Sequence, residues 1–215
     1  MIIKGDSIRK KFNILSKIGI FDDILELLLN EYIDKYDIDH LFIDSYDCIN
    51  VSGVNDNIGY GHKYKCKKVS KITLLVDKNR IPICVDICKG NIHDNTRIIN
   101  VIQGLPKIIN KTYNKPLLIG ADKGYIINKF KNKNLRTIHH VSIITDKKKN
   151  MKKRVTKQHK DFLKGRIIIE HLNSVLRKKF KHLSRITDKN EKCIKRWFAI
   201  SFIYLIVNFN NKNIA

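Results

Sequence analysis

Three acidic residues stand where a carboxylate can take part in chemistry. Asp44 lies inside an apolar segment, Asp122 directly follows another, and Glu170 follows three isoleucines as the only acid between Asp161 and Asp188. A carboxylate inside a strand is costly to bury unless it faces a rim or a cation. Carboxylate oxygens are the ligands that Mg²⁺ prefers, and two ions held by them support phosphoryl transfer. A salt bridge is the structural alternative for Glu170.

The elements that would position these residues alternate between strands and helices. Apolar periodicity predicts a helix or helix pair at 14–35, strands at 41–51, 71–76 and 81–88, a helix at 96–105, a strand at 116–121, a helix at 126–132, a strand at 137–145, a long helix at 162–182 and a last helix at 191–209. Residues 53–61 are rich in Gly, Asn and Asp, which predicts a loop or hairpin tip.

This order is typical of a ribonuclease H-like α/β fold, a mixed five-stranded sheet flanked by helices. Three antiparallel strands come first, and helices and strands then alternate, although periodicity alone leaves several other α/β folds open. In such a sheet the first and fourth strands are neighbours. Asp44 and Asp122 are therefore expected to approach each other.

The charge of the chain indicates nucleic acid as a partner. Lys and Arg number 43 against 20 Asp and Glu, a net charge of +23. Residues 147–189 hold sixteen of these cations and three acids, whereas residues 1–43 hold six cations and eight acids. A concentrated positive field attracts polyanions. Charge alone leaves a ribosomal or histone-like binding protein open.

Cysteine spacing and apolar segments argue against several other classes. The five cysteines include no CxxC pair, so we expect free thiols rather than a zinc knuckle or a disulfide framework. The segment Trp197–Phe209 is apolar but 13 residues long, too short to span a bilayer. We expect a buried core helix there, no membrane partner, and an intracellular location with the nucleic acid that the charge of the chain indicates as a partner.

Several motifs resemble the DDE transposases of bacterial insertion sequences. In chain order they are Phe42-Ile43-Asp44-Ser45 for the Asp on the first strand, Gly61-His62-Lys63 through Asp77-Lys78-Asn79-Arg80-Ile81-Pro82 for a basic glycine loop, strand and turn, Gly90-Asn91-Ile92-His93-Asp94 for a Gly-x-x-His-Asp element, and Ala121-Asp122-Lys123-Gly124-Tyr125 for the second catalytic Asp.

The third family element places Tyr, Arg, Glu and Lys at spacings of three, four and seven. Arg166 and Glu170 fit it, Arg177 stands where Lys is usual, and Leu163 occupies the Tyr position. The Ala-Asp-Lys-Gly-Tyr pentapeptide and this spacing are a specific sign of the family when they occur together, and each alone is a weak one. The resemblance covers roughly residues 14–209. It implies a helical N-terminal segment at 1–40 and a ribonuclease H-like catalytic domain at 41–215.

The resemblance implies a DNA transposase that uses two divalent ions, Mg²⁺ or Mn²⁺, held by Asp44, Asp122 and Glu170 as the catalytic set. One ion would activate the water that nicks the element end. The other would stabilise the departing 3′ oxygen, before the freed 3′-OH attacks target DNA. The partners would be double-stranded DNA, as element ends and target, and a second copy of the chain in a synaptic homodimer, because transposition pairs two DNA ends.

Basic residues near the catalytic set are the candidates for DNA binding: Arg166, Arg177, Lys123, Lys152, Lys153 and Arg154. Arg166 and Arg177 would lie about three turns apart on one helix and contact phosphates near the scissile bond. Helix-surface salt bridges are the alternative for both. Residues 147–160 would follow the DNA backbone, or form a solvated loop.

Two other functions stay open. One is an inactive or decayed transposase-derived DNA-binding protein, because only about forty residues precede Asp44 and that segment is net acidic, unlike a DNA-reading helix. The other is a ribonuclease H-like nuclease, such as a junction resolvase. Metal-dependent cleavage of DNA would distinguish a transposase from the decayed DNA-binding protein. Strand transfer into a target would distinguish a transposase from the nuclease.

Overall fold

Two helices open the part of the chain that is placed in the computed structural model, which describes residues 5–52, 57–61, 68–106, 109, 116–146, 156–187 and 191–214. Helix α1 (Gly5–Lys17) and helix α2 (Ile20–Lys35) turn at Gly19, whose φ of +81° favours glycine. The prediction of a helix pair is confirmed, with α1 beginning nine residues earlier than the predicted residue 14.

An antiparallel meander follows, built from runs rich in β-branched and aromatic residues. Its strands are β1 (His40–Asn50), β3 (Lys68–Asp77) and β4 (Pro82–Lys89), and the short β2 (Gly59–Tyr60) lies in the predicted loop. At the β3–β4 turn Asp77 Oδ1 accepts hydrogen bonds from the N–H groups of Asn79 (2.9 Å) and Ile81 (2.8 Å). The strands predicted at 71–76 and 81–88 form a hairpin, and Asp77 is a structural residue of its turn.

Helices and strands alternate in the next part of the chain. These elements are α3 (Asp94–Gln103), β5 (Leu117–Ala121), a 3₁₀ turn (Lys123–Tyr125), α4 (Lys129–His139) and β6 (Val141–Thr145). The predicted bounds of the last two elements were wrong, because residues 137–139 belong to α4 and not to a strand. The β-branched pair Thr137-Ile138 suggested a strand, but Thr137 Oγ1 bonds back to the Lys133 and Asn134 carbonyls, as a helix allows.

The predicted single helix at 162–182 is wrong, since two helices occupy this region. Helix α5 (Lys157–Lys164) and helix α6 (Ile167–Lys179) are separated at Gly165. The Phe42 ring packs so closely there that a Cβ on Gly165 would lie 2.4 Å from its Cζ. A 3₁₀ turn (Lys181–Leu183), strand β7 (Arg185–Ile186) and helix α7 (Glu191–Ile214) complete the described chain.

The sheet has the predicted mixed topology, and the described part of the chain contributes seven strands to it rather than the predicted five. Strands β1, β3 and β4 pair antiparallel, while β5 runs parallel to β1 and β6 runs parallel to β5. The two additional strands, β2 and β7, are two residues long and pair with β3 and β1. Such short edge pairings carry no clear sequence signal. The ribonuclease H-like α/β arrangement is confirmed, with the first and fourth principal strands as neighbours.

Each face of the sheet carries its own apolar cluster, because side chains alternate along a strand. Leu41 and Ile43 of β1 pack with α2 and α3, whereas Phe42 and Tyr46 pack with α6 and the first half of α7. Helix α7 is buried at Phe198, Ala199, Phe202 and Ile206, as expected for a core helix.

In the described parts of the chain, no helix is both long and apolar enough to cross a membrane. Cys48, Cys84, Cys88 and Cys193 are free thiols, as predicted, and Cys66 lies outside the described residues.

Candidate active site

Asp44 and Asp122 lie side by side because of the strand register. Strand β1 pairs in parallel with β5 up to the pair Ile43 and Ala121, and each Asp is the next residue along its own strand direction. The two carboxylates therefore stand where the parallel pairing ends and the strands diverge. This is the edge at which ligands collect in α/β sheets. The expectation that these residues approach each other is met.

Glu170 reaches the same place from helix α6. Asp44 has the same parity on β1 as Phe42 and Tyr46, whose side chains pack against Ile169 and Leu172 of α6. This apolar contact fixes the helix over β1, and Glu170 follows Ile169 in the first turn. The carboxylate stays exposed at the rim while its neighbour Ile169 is buried.

Arg166 links two of the three carboxylates. Its guanidinium nitrogens lie 3.5 Å from Asp122 Oδ1 and 3.9 Å from Glu170 Oε1. Arg166 occupies the N-cap position of α6 with helical backbone angles, so the break at Gly165 aims it across the site. Arg166 Nε is buried and has no hydrogen-bond partner in the described parts of the chain. The ion-pair alternative for Arg166 is thus present in the structure.

Asn173 is a site residue that the sequence analysis missed. It lies one turn after Glu170 on α6, is 3% exposed, and its Nδ2 donates to Asp44 Oδ2 at 3.3 Å. Its Oδ1 is buried and has no partner among the described residues. The available signal was one polar residue on the apolar face that carries Ile169, Leu172 and Leu176, at the i+3 position from Glu170.

Burial of the Asp44 side chain raises its pKa to about 6. The Ser45 N–H and the positive charge of Arg166 oppose this rise, while the negative charges of Glu170 and Asp122 add to it. These effects arise because Arg166, Glu170 and Asp122 lie near enough to Asp44 for their charges to act on it. Among the described residues, Arg166 is the cation that pairs with carboxylates of this site, and it reaches Asp122 and Glu170.

The Ala-Asp-Lys-Gly-Tyr motif locks the second Asp to the first strand. Tyr125 is buried, and its hydroxyl hydrogen-bonds Ser45 Oγ, which in turn contacts Thr73 Oγ1 at 2.8 Å. Gly124 lets the turn approach helix α3, because a Cβ there would stand 3.2 Å from Asp94 Oδ2. The neighbours of both catalytic candidates are thus joined through hydroxyl groups.

Where the structure describes them, the other predicted residues make their contacts with groups other than the three carboxylates. The Arg177 guanidinium sits over the Tyr46 ring at 5.4 Å, and its Nε donates to the Asn173 carbonyl at 3.2 Å. Lys123 Nζ lies 3.8 Å from Asp146 Oδ2. His93 caps α3, since its side chain accepts a hydrogen bond from the Asn95 N–H. Lys152, Lys153 and Arg154 lie outside the described residues.

The donor chemistry of the site suits a divalent cation, although the carboxylates do not surround one point. Across the described ranges, no group of three or more His, Cys, Asp or Glu side chains is placed to hold one metal ion. The donors at the site are nevertheless all carboxylate or amide oxygens, as Mg²⁺ requires. The raised pKa of Asp44 and the buried Asn173 Oδ1, which has no partner among the described residues, also fit a cation.

A carboxylate cluster at the diverging ends of β1 and β5 in a ribonuclease H-like sheet defines a class of phosphoryl-transfer enzymes. The family model for the transposase DDE domain matches residues 35–206. The chain therefore belongs to the family of DDE transposases, enzymes that cleave DNA and transfer its strands with divalent metal ions. No curated protein sequence matches the chain.

Two solved structures resemble the chain at low identity. The catalytic domain of the Mos1 mariner transposase is 12% identical, with a TM-score of 0.37, and the match covers 89% of this chain and 90% of that one. The Mos1 mariner paired end complex with Mn is 13% identical, with a TM-score of 0.34, and the match covers 88% of this chain and 59% of that one.

Proposed function

We propose that this transposase cleaves the ends of a mobile DNA element and joins them to target DNA with Asp44, Asp122 and Glu170 as its catalytic carboxylates. One observation carries the proposal. The β1–β5 register puts Asp44 and Asp122 at matching positions just past the last paired residues, Ile43 and Ala121. Arg166 then connects Asp122 to Glu170 from the amino end of α6.

The same three side chains would hold two divalent ions, Mg²⁺ or Mn²⁺. Bound there, such ions lower the pKa of a water molecule and stabilise charge on the attacking and leaving oxygens of an in-line displacement. Asn173 holds Asp44 Oδ2 in place through its amide. Arg166 holds Asp122 and Glu170 together, which offsets their mutual repulsion before DNA is bound.

Cations around the carboxylates would hold the DNA backbone. Arg177 is exposed beyond Asn173 on α6, and Lys123 is exposed next to Asp122, so both can contact phosphates near the scissile bond. Arg166 would exchange part of its carboxylate pairing for a phosphate contact. Lys152, Lys153 and Arg154 would follow the backbone of the double-stranded DNA away from the site.

The proposed assembly is a homodimer on two element ends, because transposition pairs two ends. We also propose residues 1–40 as a helical N-terminal segment and residues 41–215 as the catalytic domain. Leu29, Tyr32 and Ile33 of α2 are buried in the same cluster as Leu41 and Ile43. The N-terminal segment would thus support the sheet from the face opposite α6.

Nicking of supercoiled plasmid with Mg²⁺ or Mn²⁺ tests the catalytic set. Wild type should nick the plasmid, whereas Asp122→Asn should bind DNA without nicking it. Asp161→Asn is the matched control, because Asp161 is an exposed carboxylate paired only with Lys164 in the described chain. Equal nicking by wild type and Asp122→Asn would contradict the proposal.

A strand-transfer assay then separates the remaining functions. Labelled element ends should become joined to target plasmid by wild type and not by Asp122→Asn. Cleavage without joining would indicate a ribonuclease H-like nuclease. DNA binding without metal-dependent cleavage, with the element ends supplied, would indicate a decayed, DNA-binding transposase derivative.

A further inference from the structure

A cleft of about 890 Å³ lies between the α1–α2 turn and the first turns of α7. It shares no residue with the carboxylate site. Its lining includes four cationic side chains and one carboxylate, namely Lys17, Lys192, Lys195, Arg196 and Asp22. The predominance of positive charge in a concave surface favours an anionic ligand.

The α2 side of this cleft presents the amino end of a helix of 16 residues. The first N–H groups of a helix have no partner inside the helix. Gly19 occupies the N-cap position, and its carbonyl accepts hydrogen bonds from the N–H groups of Asp22 (2.9 Å) and Asp23 (3.2 Å), so the N–H groups before them are those that face the cleft's ligand. The positive end of the helix dipole therefore faces the region where the cationic side chains gather, which is a favourable place for a phosphate group.

Ser16 gives an independent indication of a ligand. It lines the cleft and is 4% exposed, yet its Oγ has no hydrogen-bond partner in the parts of the chain that are described. A buried hydroxyl without a partner destabilises the fold. An acceptor oxygen of a ligand in the cleft would satisfy it, and serine hydroxyls commonly donate to DNA phosphates.

Two of the cations have no carboxylate partner of their own within the described ranges. Arg196 contacts Cys193 Sγ, at 3.6 Å, and neither Arg196 nor Lys17 pairs with a carboxylate among these residues. Their charges are thus available to a ligand. Arginine suits phosphate in particular, because its planar fork can donate two parallel hydrogen bonds.

We propose that this cleft binds a phosphodiester group of the DNA, with Ser16, Lys17 and Arg196 as its contacts. The inference rests on the proposed transposase function, which supplies DNA as the ligand. The cleft holds the DNA at a second place, apart from the carboxylates, where α1, α2 and α7 meet. The acidic N-terminal segment takes part in DNA binding through this junction rather than through a reading helix.

DNA binding without metal tests the cleft separately from catalysis. The affinity for a labelled duplex of arbitrary sequence is measured by fluorescence anisotropy over a series of salt concentrations. Lys17→Gln combined with Arg196→Gln should weaken binding roughly tenfold and lower the salt slope by about one for each phosphate that the protein no longer neutralises. Ser16→Ala removes only the hydroxyl and should weaken binding by about threefold at unchanged salt slope.

Lys10→Gln is the matched control, because Lys10 is an exposed cation on α1 outside the cleft. It should bind DNA like wild type, and thermal unfolding should show that every variant is folded. Equal weakening for each charge removed in Lys10→Gln and in the charge variant of the cleft would overturn the proposal, since only net charge would then matter. Wild-type affinity and salt slope in the cleft variants would also overturn it.

A second ligand separates DNA from a free anion. If inorganic phosphate stabilises wild type against thermal unfolding but not the cleft variants, while DNA affinity is the same in all, the cleft is an anion site unrelated to DNA. The plasmid assay separates this proposal from the proposed function. If the cleft variants bind DNA more weakly but nick at the wild-type rate when the enzyme is saturating, the cleft proposal is supported. If Asp122→Asn nicks as wild type does, only the proposed catalytic carboxylates are contradicted.

Discussion

The buried amide of Asn173 donates a hydrogen bond to Oδ2 of Asp44, across 3.3 Å between helix α6 and strand β1. Asp44 is thereby held by a residue that is itself packed into the apolar face of α6. A hydrogen bond to a charged group contributes about 1.5–3 kcal/mol, so this contact matters for the position of the carboxylate. Asn173 is a positioning residue, because it acts through Asp44.

Asn173→Ala should slow metal-dependent plasmid nicking by roughly tenfold or more, as expected when a charge-assisted hydrogen bond is removed. More Mn²⁺ should also be needed for half-maximal nicking, because Asp44 is no longer oriented. Nicking rates over a range of Mn²⁺ concentrations measure both effects. Ser174→Ala is the control on the same helix. A reduced rate at an unchanged Mn²⁺ requirement would argue against the positioning role.

Arg166 and Arg177 should respond differently to conservative changes. Arg166→Lys should lower nicking by roughly tenfold, because one ammonium group cannot replace a guanidinium that lies between Asp122 and Glu170. Arg177→Lys should retain nicking within about threefold, since Arg177 offers an exposed charge beyond the carboxylates. Plasmid nicking at saturating DNA compares them. Equal losses would show that Arg166 has no special place between the carboxylates.

Asp77 should make the stability of the fold depend on pH. Burial raises the pKa of this carboxyl, although Tyr32 Oη at 2.5 Å and the Ile81 and Asn79 N–H groups donate to it. The raised pKa means that folding favours the protonated form of Asp77. Its contribution to the free energy of unfolding is fully present below the unfolded-state pKa of about 3.9, and it is lost as pH rises through the folded-state pKa. The free energy of unfolding of wild type should therefore fall relative to that of Asp77→Asn as pH rises from about 4.

Urea unfolding of wild type and Asp77→Asn at several pH values measures this difference, and contributions from other groups cancel in it. A difference that stays constant between acidic and neutral pH would show that burial does not raise the pKa of Asp77. The effect concerns stability alone, because Asp77 lies in the β3–β4 turn and not among the three carboxylates.

Gly165→Ala should destabilise the fold even though its backbone angles suit alanine. Gly165 has φ −61° and ψ −16°, so alanine would normally add about 0.4–1 kcal/mol of stability. Here the new Cβ would stand 2.4 Å from Phe42 Cζ, and such overpacking costs about 1–3 kcal/mol. Urea unfolding, with exposed Lys164→Ala as control, measures the outcome. A stabilised Gly165→Ala variant would show that the Phe42 ring moves aside freely.

Local patterns in the sequence were sufficient to predict most strands of the sheet and the turns between them. The β-branched runs located β1, β3 and β4, and the Asp77-Lys78-Asn79-Arg80 segment located their hairpin. Where local and tertiary preferences conflicted, the predictions were wrong. Thr137-Ile138 has strand propensity but completes α4, and residues 162–182 have helical periodicity but break at Gly165 to admit the Phe42 ring.

By itself the sequence determined the chemistry that is available, namely Asp44 in a strand, Asp122 after a strand and Glu170 among cations, together with a charge suited to DNA. Residue type and spacing are properties of the chain. The tertiary structure decided which groups meet: the β1–β5 register aligns the two Asp residues, and the packing of α6 brings Asn173 to Asp44. Contacts between residues 129 positions apart depend on how helices pack on the sheet, and no local pattern encodes that packing.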